Sequence, residues 1–350
     1  MSALLPLDFR KILVCQLRQI GDVLLATPSV ELLRRRYPDA EIHFFTEKKC
    51  APMLANNPHL ARVWQVDKKE LTSLRREIAF YRRVASEGYD LVVDFQQLPR
   101  IRWVVGFSHA KVRLSYTAPW YTRWLYTHTA PMLPGYAAMC KASVLAPLGI
   151  EWNGERPRLY LSKLERAWAG HFFQQHGLTD EHLVVTLDPT HRRETRRWPA
   201  KHWARLVDIA SEARPELRFV VLVGPGEEDV ARDLAGRVRR PENLVVPNRI
   251  LSLRELAAVI DAAALHAGNC SAPSHMAVAV DTPSLIVRGS TSDAWRFPSP
   301  EHVSIKAGLE CQPCNENVCP KGTNECLTGL TPERVAPELL ALLPHLPPET

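Results

Sequence analysis

No window of this 350-residue chain holds the 18 or more continuous apolar residues of a membrane-spanning helix, and the opening MSALLPLDFRK is too short in its apolar part for a secretory signal. The protein is therefore expected to stay in the cytoplasm. Neither G-x-G-x-x-G nor G-x-x-x-x-G-K-[ST] follows a predicted strand, which weakens a dinucleotide oxidoreductase and a P-loop ATPase alike. A nucleic-acid-binding motif is also missing, so the net charge of +6 suits an anionic ligand or an anionic membrane surface better than nucleic acid. Cysteine is sparse outside one segment, CQPCNENVCPKGTNEC, where Cys311, Cys314, Cys319 and Cys326 are spaced C-x2-C-x4-C-x6-C. A lasting disulfide is disfavoured in the cytoplasm, which leaves structural zinc or plain thiols; the second pair lacks the tight C-x2-C of common zinc sites.

Hydrophobic residues at 46% and charged residues at 23% are ordinary globular values, and the length suggests two domains at roughly 150 residues each. Strand-like runs at 11–16, 41–45, 62–66, 90–94 and 112–114 alternate with helical patterns at 22–36, 50–56 and 69–87, as in a parallel sheet with crossover helices. Residues 115–160 are richer in aromatics, Pro and Gly. The alternation then restarts, with strands at 183–188, 218–224, 243–247, 264–268 and 283–289 and helices at 200–213, 226–239, 253–262 and 273–280. The expected division is an N-terminal domain over 1–170, a C-terminal domain over 171–330, and a helix and tail over 331–350 that packs on either domain.

In QLRQIGDVLLATPSVELLRRRYP, the Gly21-Asp22 pair stands where a strand gives way to a helix. Asp22 is either a cap in the first helical turn or an acid or base aimed into the crevice beyond the strand ends. Three later segments also stand at strand ends. Thr190 and a loop of arginines including Arg196 precede Trp198-Pro199; the arginines either neutralise a diphosphate or form a basic surface loop. Gly224-Pro225-Gly226 leads to Glu227 and Glu228, suited to ribose hydroxyls or to simple dipole pairing. Ser271, Ala272, Pro273, Ser274 and His275 open a helix of small residues whose free N–H groups suit phosphate, with His275 equally a core or capping residue.

Taken in order, LRQIGDVLLATPSVELLRRRYPDAEIHFFT, TRRWPAKHWARL, GNCSAPSHMAVAV, RGST and the cysteine segment before LTPERV resemble the ADP-heptose:lipopolysaccharide heptosyltransferases of glycosyltransferase family 9, over about residues 10 to 340. The resemblance implies an α/β GT-B fold, two Rossmann-like doubly wound domains facing a central cleft, with the acceptor on the first domain and the nucleotide sugar on the second. It further implies inverting transfer of a heptose from ADP-heptose to the inner core of lipopolysaccharide, of lipid A-Kdo type, without a cofactor or catalytic metal. Asp22 matches the family's general base. Thr190, Arg196, Glu227 or Glu228, Cys270, Ser271, Ala272, Pro273 and His275 match the donor site. Two positions depart from the pattern: Arg196 stands where the family usually has Lys, and Cys270-Ser271-Ala272 stands for the family's DSG. A neutral thiol is a poor acceptor for sugar hydroxyls, so another nucleotide sugar, another glycan acceptor or a catalytically silent binding protein stay as alternatives.

For an acidic acceptor, Gly21, Lys48 and Arg113 are the expected contacts, with Lys49, Arg100 and Arg102 near the same strand ends. The run YTAPWYTRWLYTH, 116–128, is either a packed loop, an acceptor cover or a membrane contact. A peripheral position on the cytoplasmic face of the inner membrane would suit such an acceptor.

Overall fold

The computed structural model describes residues 8–344; residues 1–7 of the opening segment and 345–350 of the expected tail lie outside them. Two compact units meet between Tyr160 and Leu161. The expected boundary near residue 170 falls inside a helix, Lys163–Gln175, that belongs to the second unit. Its start was marked by a capping box: the Ser162 hydroxyl accepts from the Glu165 N–H at 3.2 Å, and the Glu165 carboxylate accepts from the Ser162 N–H at 2.7 Å.

The first unit contains β1 (Lys11–Cys15), β2 (Glu41–Glu47), β3 (Arg62–Val66), β4 (Leu91–Asp94), β5 (Val112–Tyr116) and β6 (His128–Ala130). All pair in parallel in the order β3-β2-β1-β4-β5-β6. Because β1 is central and covered on both faces, its apolar run is continuous rather than alternating. The second unit repeats the arrangement with β7 (Leu183–Asp188), β8 (Leu217–Val221), β9 (Leu244–Val245), β10 (Leu265–Asn269), β11 (Ser284–Val287) and β12 (His302–Ile305), ordered β12-β11-β10-β7-β8-β9. In each sheet the direction of winding reverses once, between β1 and β4 and between β7 and β10. Ligands of such sheets bind beyond the carboxyl ends of the strands at that reversal.

The expected helix over 22–36 is two helices, Ile20–Leu24 and Thr27–Arg36. Pro28 has no N–H for the Leu24 carbonyl, and the Thr27 hydroxyl takes that carbonyl instead at 2.7 Å. The expected helix at 50–56 is a single 3-10 turn, Ala51–Leu54, and the one at 69–87 shortens to Leu74–Ala85. β6, β12 and the helix Pro99–Ser108 lie outside the expected elements. In the second unit Trp198 and Trp203 meet edge-on at 4.8 Å in the core. The Trp198 indole N–H donates to the Leu330 carbonyl at 2.9 Å, and helix Pro332–Ala341 buries Val335 and Leu339 in the same core. The final helix therefore packs on the second unit.

Candidate active site

After Cys15 the chain crosses residues 16–19 before the helix that carries Asp22. That crossing is held by Gln96, whose Oε1 accepts from the N–H groups of Leu17 at 3.0 Å and Arg18 at 3.2 Å while its amide donates to the Arg18 carbonyl. Gln16 donates to the same carbonyl at 2.7 Å. Gln96 itself is fixed by Asp94, the last residue of β4, whose Oδ1 accepts from the N–H groups of Gln96 and Gln97 at 2.8 and 2.9 Å. The two strands of the reversal thus brace one loop between them, and Asp22 stands at its exit.

Asp22 is a helix cap whose second carboxylate oxygen meets a cation. Its Oδ2 accepts from the Gln19 N–H at 3.3 Å, which is capping. Its Oδ1 lies 3.2 Å from the Lys141 ammonium, and the side chain stays 25% exposed. Lys141 is buried on helix Ala137–Ala142 and donates to Gln16 Oε1 at 3.0 Å. Burial pulls its ammonium below the ordinary lysine range, and the Asp22 carboxylate pulls the other way. Sequence reasoning missed Lys141, whose only trace is one cation in the apolar stretch AAMCKASV.

The expected acceptor contacts separate. Gly21 is buried beside Asp22. Lys48 is taken up by Asp67 at 3.1 Å and Glu70 at 2.7 Å, and Lys49 by Glu47 at 3.1 Å. Arg113 does not face a ligand: its guanidinium donates to the carbonyls of Leu125 at 2.6 Å and Ala110 at 2.7 Å, clamping the crossover from β5 to β6. A pocket of mixed charge opens beside the Asp22 loop, rimmed by Leu17, Arg18, Trp103 and the ion pairs Lys68–Glu47 at 2.8 Å and Arg100–Glu77 at 3.2 Å. Arg100 was expected near here; Arg18 and Lys68 were not.

In the second unit most of the expected donor-site residues gather at the reversal between β7 and β10. Asp188, the last residue of β7, is buried, accepts from the hydroxyl of Ser271 and lies 3.2 Å from that of Thr190. Burial pushes its carboxyl up to about 7; the Ser271 hydroxyl opposes the rise and the Glu227 charge adds to it. Glu227 accepts from Thr190 at 2.6 Å and from the Gly224 N–H at 2.9 Å. Asn269 ties the strand ends by accepting from the Trp198 N–H at 2.9 Å and donating to the carbonyls of Asp188 and Thr190, both at 3.3 Å. Gly268 is required by this crowding, since a Cβ there would come within 2.9 Å of the Asp188 Cβ. Asp188 was read only as the end of a strand.

Because Ser271 spends its hydroxyl on Asp188, it does not cap helix Ala272–Val280, whose first turn carries Ala272 and Pro273. The N–H groups there keep their capacity for an anion. Arg196 is half-buried, its Nε without a partner among the described residues, and burial lowers its basicity, as does Arg193. The buried Cys270 thiol is pushed up by burial, with Thr291, Arg196 and Arg288 opposing. His275 is buried with its ring 5.9 Å from Trp295. Glu228, unlike Glu227, is exposed and borders an open cavity of about 150 Å³ lined by Val221, Val223, Val246, Asn248 and Leu256.

Cys311, Cys314, Cys319 and Cys326 rim one pocket with Thr195 and Lys321. Cys319 is drawn instead to the backbone N–H groups of residues 321–324, which lower its thiol, Asn324 most. Among the described residues no three His, Cys, Asp or Glu side chains are grouped to hold a metal ion. The segment is stapled to the arginine loop: the Thr195 hydroxyl donates to the Glu316 carbonyl and the Asn315 N–H to the Ser290 carbonyl, both at 2.8 Å.

The sequence model of glycosyltransferase family 9 (heptosyltransferase) matches residues 78–324. The chain belongs to that family. It is 26% identical over 300 residues to an Escherichia coli protein named lipopolysaccharide heptosyltransferase 3, covering 82% of this chain and 86% of that one. The crystal structure of a family 9 glycosyltransferase from Veillonella parvula superposes with a TM-score of 0.87 at 21% identity, covering 97% of this chain and 99% of that one. E. coli heptosyltransferase WaaC with ADP-2-deoxy-2-fluoro heptose gives a TM-score of 0.72 at 20% identity, covering 95% and 99%. The protein is a glycosyltransferase of GT-B fold.

Proposed function

We propose that this glycosyltransferase moves a heptose from ADP-heptose to the inner core of lipopolysaccharide with inversion at the anomeric carbon, as a cytoplasmic protein peripheral to the inner membrane. The observation that carries the chemistry is Asp22, braced at the end of β1 by Gln19 and by the buried Lys141 while its carboxylate keeps access to solvent. The family resemblance supplies the donor, and the WaaC complex with an ADP-heptose analogue supports it.

In this reading the acceptor hydroxyl oxygen attacks the anomeric carbon as the bond to the diphosphate oxygen breaks, and its proton passes to Asp22. A carboxylate is a weak base toward an alcohol, so the proton moves late, when bond formation has made that oxygen acidic. ADP leaves with the bonding pair, its charge met by Arg196 and the N–H groups opening helix Ala272–Val280. No metal is required for that stabilisation. The cavity beside Glu228 is lined for a flat apolar group and takes the nucleobase. The carboxylate that the family carries in its DSG triplet is met here from the opposite strand, since Asp188 reaches Ser271 next to Cys270.

Calorimetric titration with ADP, ADP-heptose and a panel of UDP- and GDP-sugars tests the reading. Selective binding of ADP-heptose, followed by transfer to a heptose-deficient core acceptor, is expected. Preference for another nucleotide sugar would replace the donor, and binding without turnover would make the chain a silent relative.

A further inference from the structure

Between Asp94 and Glu151 the chain has no Asp or Glu, but it has six cations: Arg100, Arg102, Lys111, Arg113, Arg123 and Lys141. The same stretch exposes its largest side chains. Trp120 is 88% exposed, Trp124 74% and Tyr121 54%, and Trp103, Met132 and Leu133 are also exposed. Single exposed hydrophobics are normal on a soluble surface, but three aromatics within five residues are not.

The exposure is built into the turn. Trp124 donates its indole N–H to the Tyr121 carbonyl at 3.1 Å, and the N–H groups of Thr122 and Arg123 both reach the Pro119 carbonyl at 3.0 Å. Below the turn, Leu125 and Tyr126 are buried, and the Tyr126 hydroxyl donates to Asp94 at 2.7 Å. The Arg113 clamp on the Leu125 carbonyl closes the base. The Arg102 guanidinium lies 6.0 Å from the Tyr121 ring centre, joining helix Pro99–Ser108 to the turn. Arg123 is exposed between the aromatic side chains and forms no ion pair among the described residues.

We infer that the turn 119–124, with the neighbouring Arg102, is a membrane-docking surface that seats Trp120, Tyr121 and Trp124 at the headgroup level of an anionic bilayer. The composition selects this occupant. Tryptophan and tyrosine favour the water–lipid interface, where an apolar ring and a polar edge are both satisfied, and the exposed Arg123, with Arg102 beside Tyr121, matches anionic headgroups. Tying the turn to Asp94, at the end of β4, gives the docked surface a fixed relation to the reversal that holds Asp22. The inference rests on the peripheral placement proposed above and gives it a location.

Co-sedimentation with sucrose-loaded vesicles tests it, using phosphatidylcholine alone and phosphatidylcholine mixed with phosphatidylglycerol, neither containing saccharide. The wild-type chain is expected to partition onto the mixed vesicles in a salt-sensitive way and weakly onto phosphatidylcholine. Trp120→Ser/Trp124→Ser should lose about tenfold or more of that partition, and Arg123→Gln about fivefold. A wild-type chain that stays in the supernatant, or a double tryptophan variant that sediments like wild type, overturns the inference. So does a variant that binds vesicles normally but shifts in sedimentation velocity from dimer to monomer, which would make the patch a contact between copies. Because the vesicles carry no acceptor, failure of the heptose-transfer reading leaves this result unchanged.

Discussion

Two aspartates stand near the reversals of two sheets of the same strand order, Asp188 as the last residue of β7 and Asp22 in the helix that follows β1, and the protein treats them oppositely. Asp22 is partly open to water and shares a salt bridge with Lys141; Asp188 is sealed among hydroxyls, with Glu227 adding negative charge nearby. The fold dictates where a carboxylate at the reversal stands, and its neighbours dictate how exposed and how paired it is. Near neutral pH Asp188 is close to its midpoint, so it can donate as well as accept a hydrogen bond, whereas the Asp22 carboxylate lies 3.2 Å from the Lys141 ammonium.

The sharpest break in this comparison is Asp22→Asn. It should lower the transfer rate by about a hundredfold or more, with donor affinity by calorimetry nearly unchanged. Wild-type turnover would reduce Asp22 to a helix cap. Lys141→Met should cost about 1–3 kcal/mol in denaturant unfolding, below the range for a fully buried pair because Asp22 is partly exposed, and it should also slow transfer. The double variant should lose less than the sum of the singles, and strict additivity would show that the two groups do not act together.

For Asp188 the predicted signature is pH dependence. An aspartate raised in the folded state adds stability below its ordinary value of 3.8 and loses it as pH rises through about 7. Urea unfolding should therefore show the native chain losing up to about 4 kcal/mol across that window relative to Asp188→Asn. Parallel pH curves for the two proteins would refute the buried-acid description. The smallest expected effect concerns the exchange of carboxylates: Asp188→Asn should weaken donor binding by about tenfold, and Cys270→Asp in that background should recover part of it. No recovery would separate Cys270 from the donor site.

The two parallel sheets and most of their strands were legible because buried parallel strands leave continuous apolar runs such as ILVC and LVVTLD, whereas the strand order came only with the structure. Helix Pro99–Ser108 was not read from the sequence, although Ile101, Val104, Val105 and Ser108 are its buried positions at helical spacing. Asp22 was found because a strand-to-helix turn has a local signature. Lys141 and Asp188 were not, because the groups that give each its character lie far along the chain: Lys141 is 125 residues from Gln16, and Asp188 is 83 from Ser271. Arg113 shows the converse error, a cation at a strand spent entirely on main-chain carbonyls.

The staple between the cysteine segment and the arginine loop has a consequence for reactivity. Thr195 and Ser290 each hold a residue of that segment, and a Cβ on Gly289 would come within 2.1 Å of the Thr195 carbonyl, so the two loops cannot move apart and close again independently. A ligand that orders Arg196 is expected, by linkage, also to damp the motions of the segment that carries the partly exposed Cys314 and Cys326. The rate at which an alkylating reagent consumes those thiols then becomes a gauge of donor occupancy.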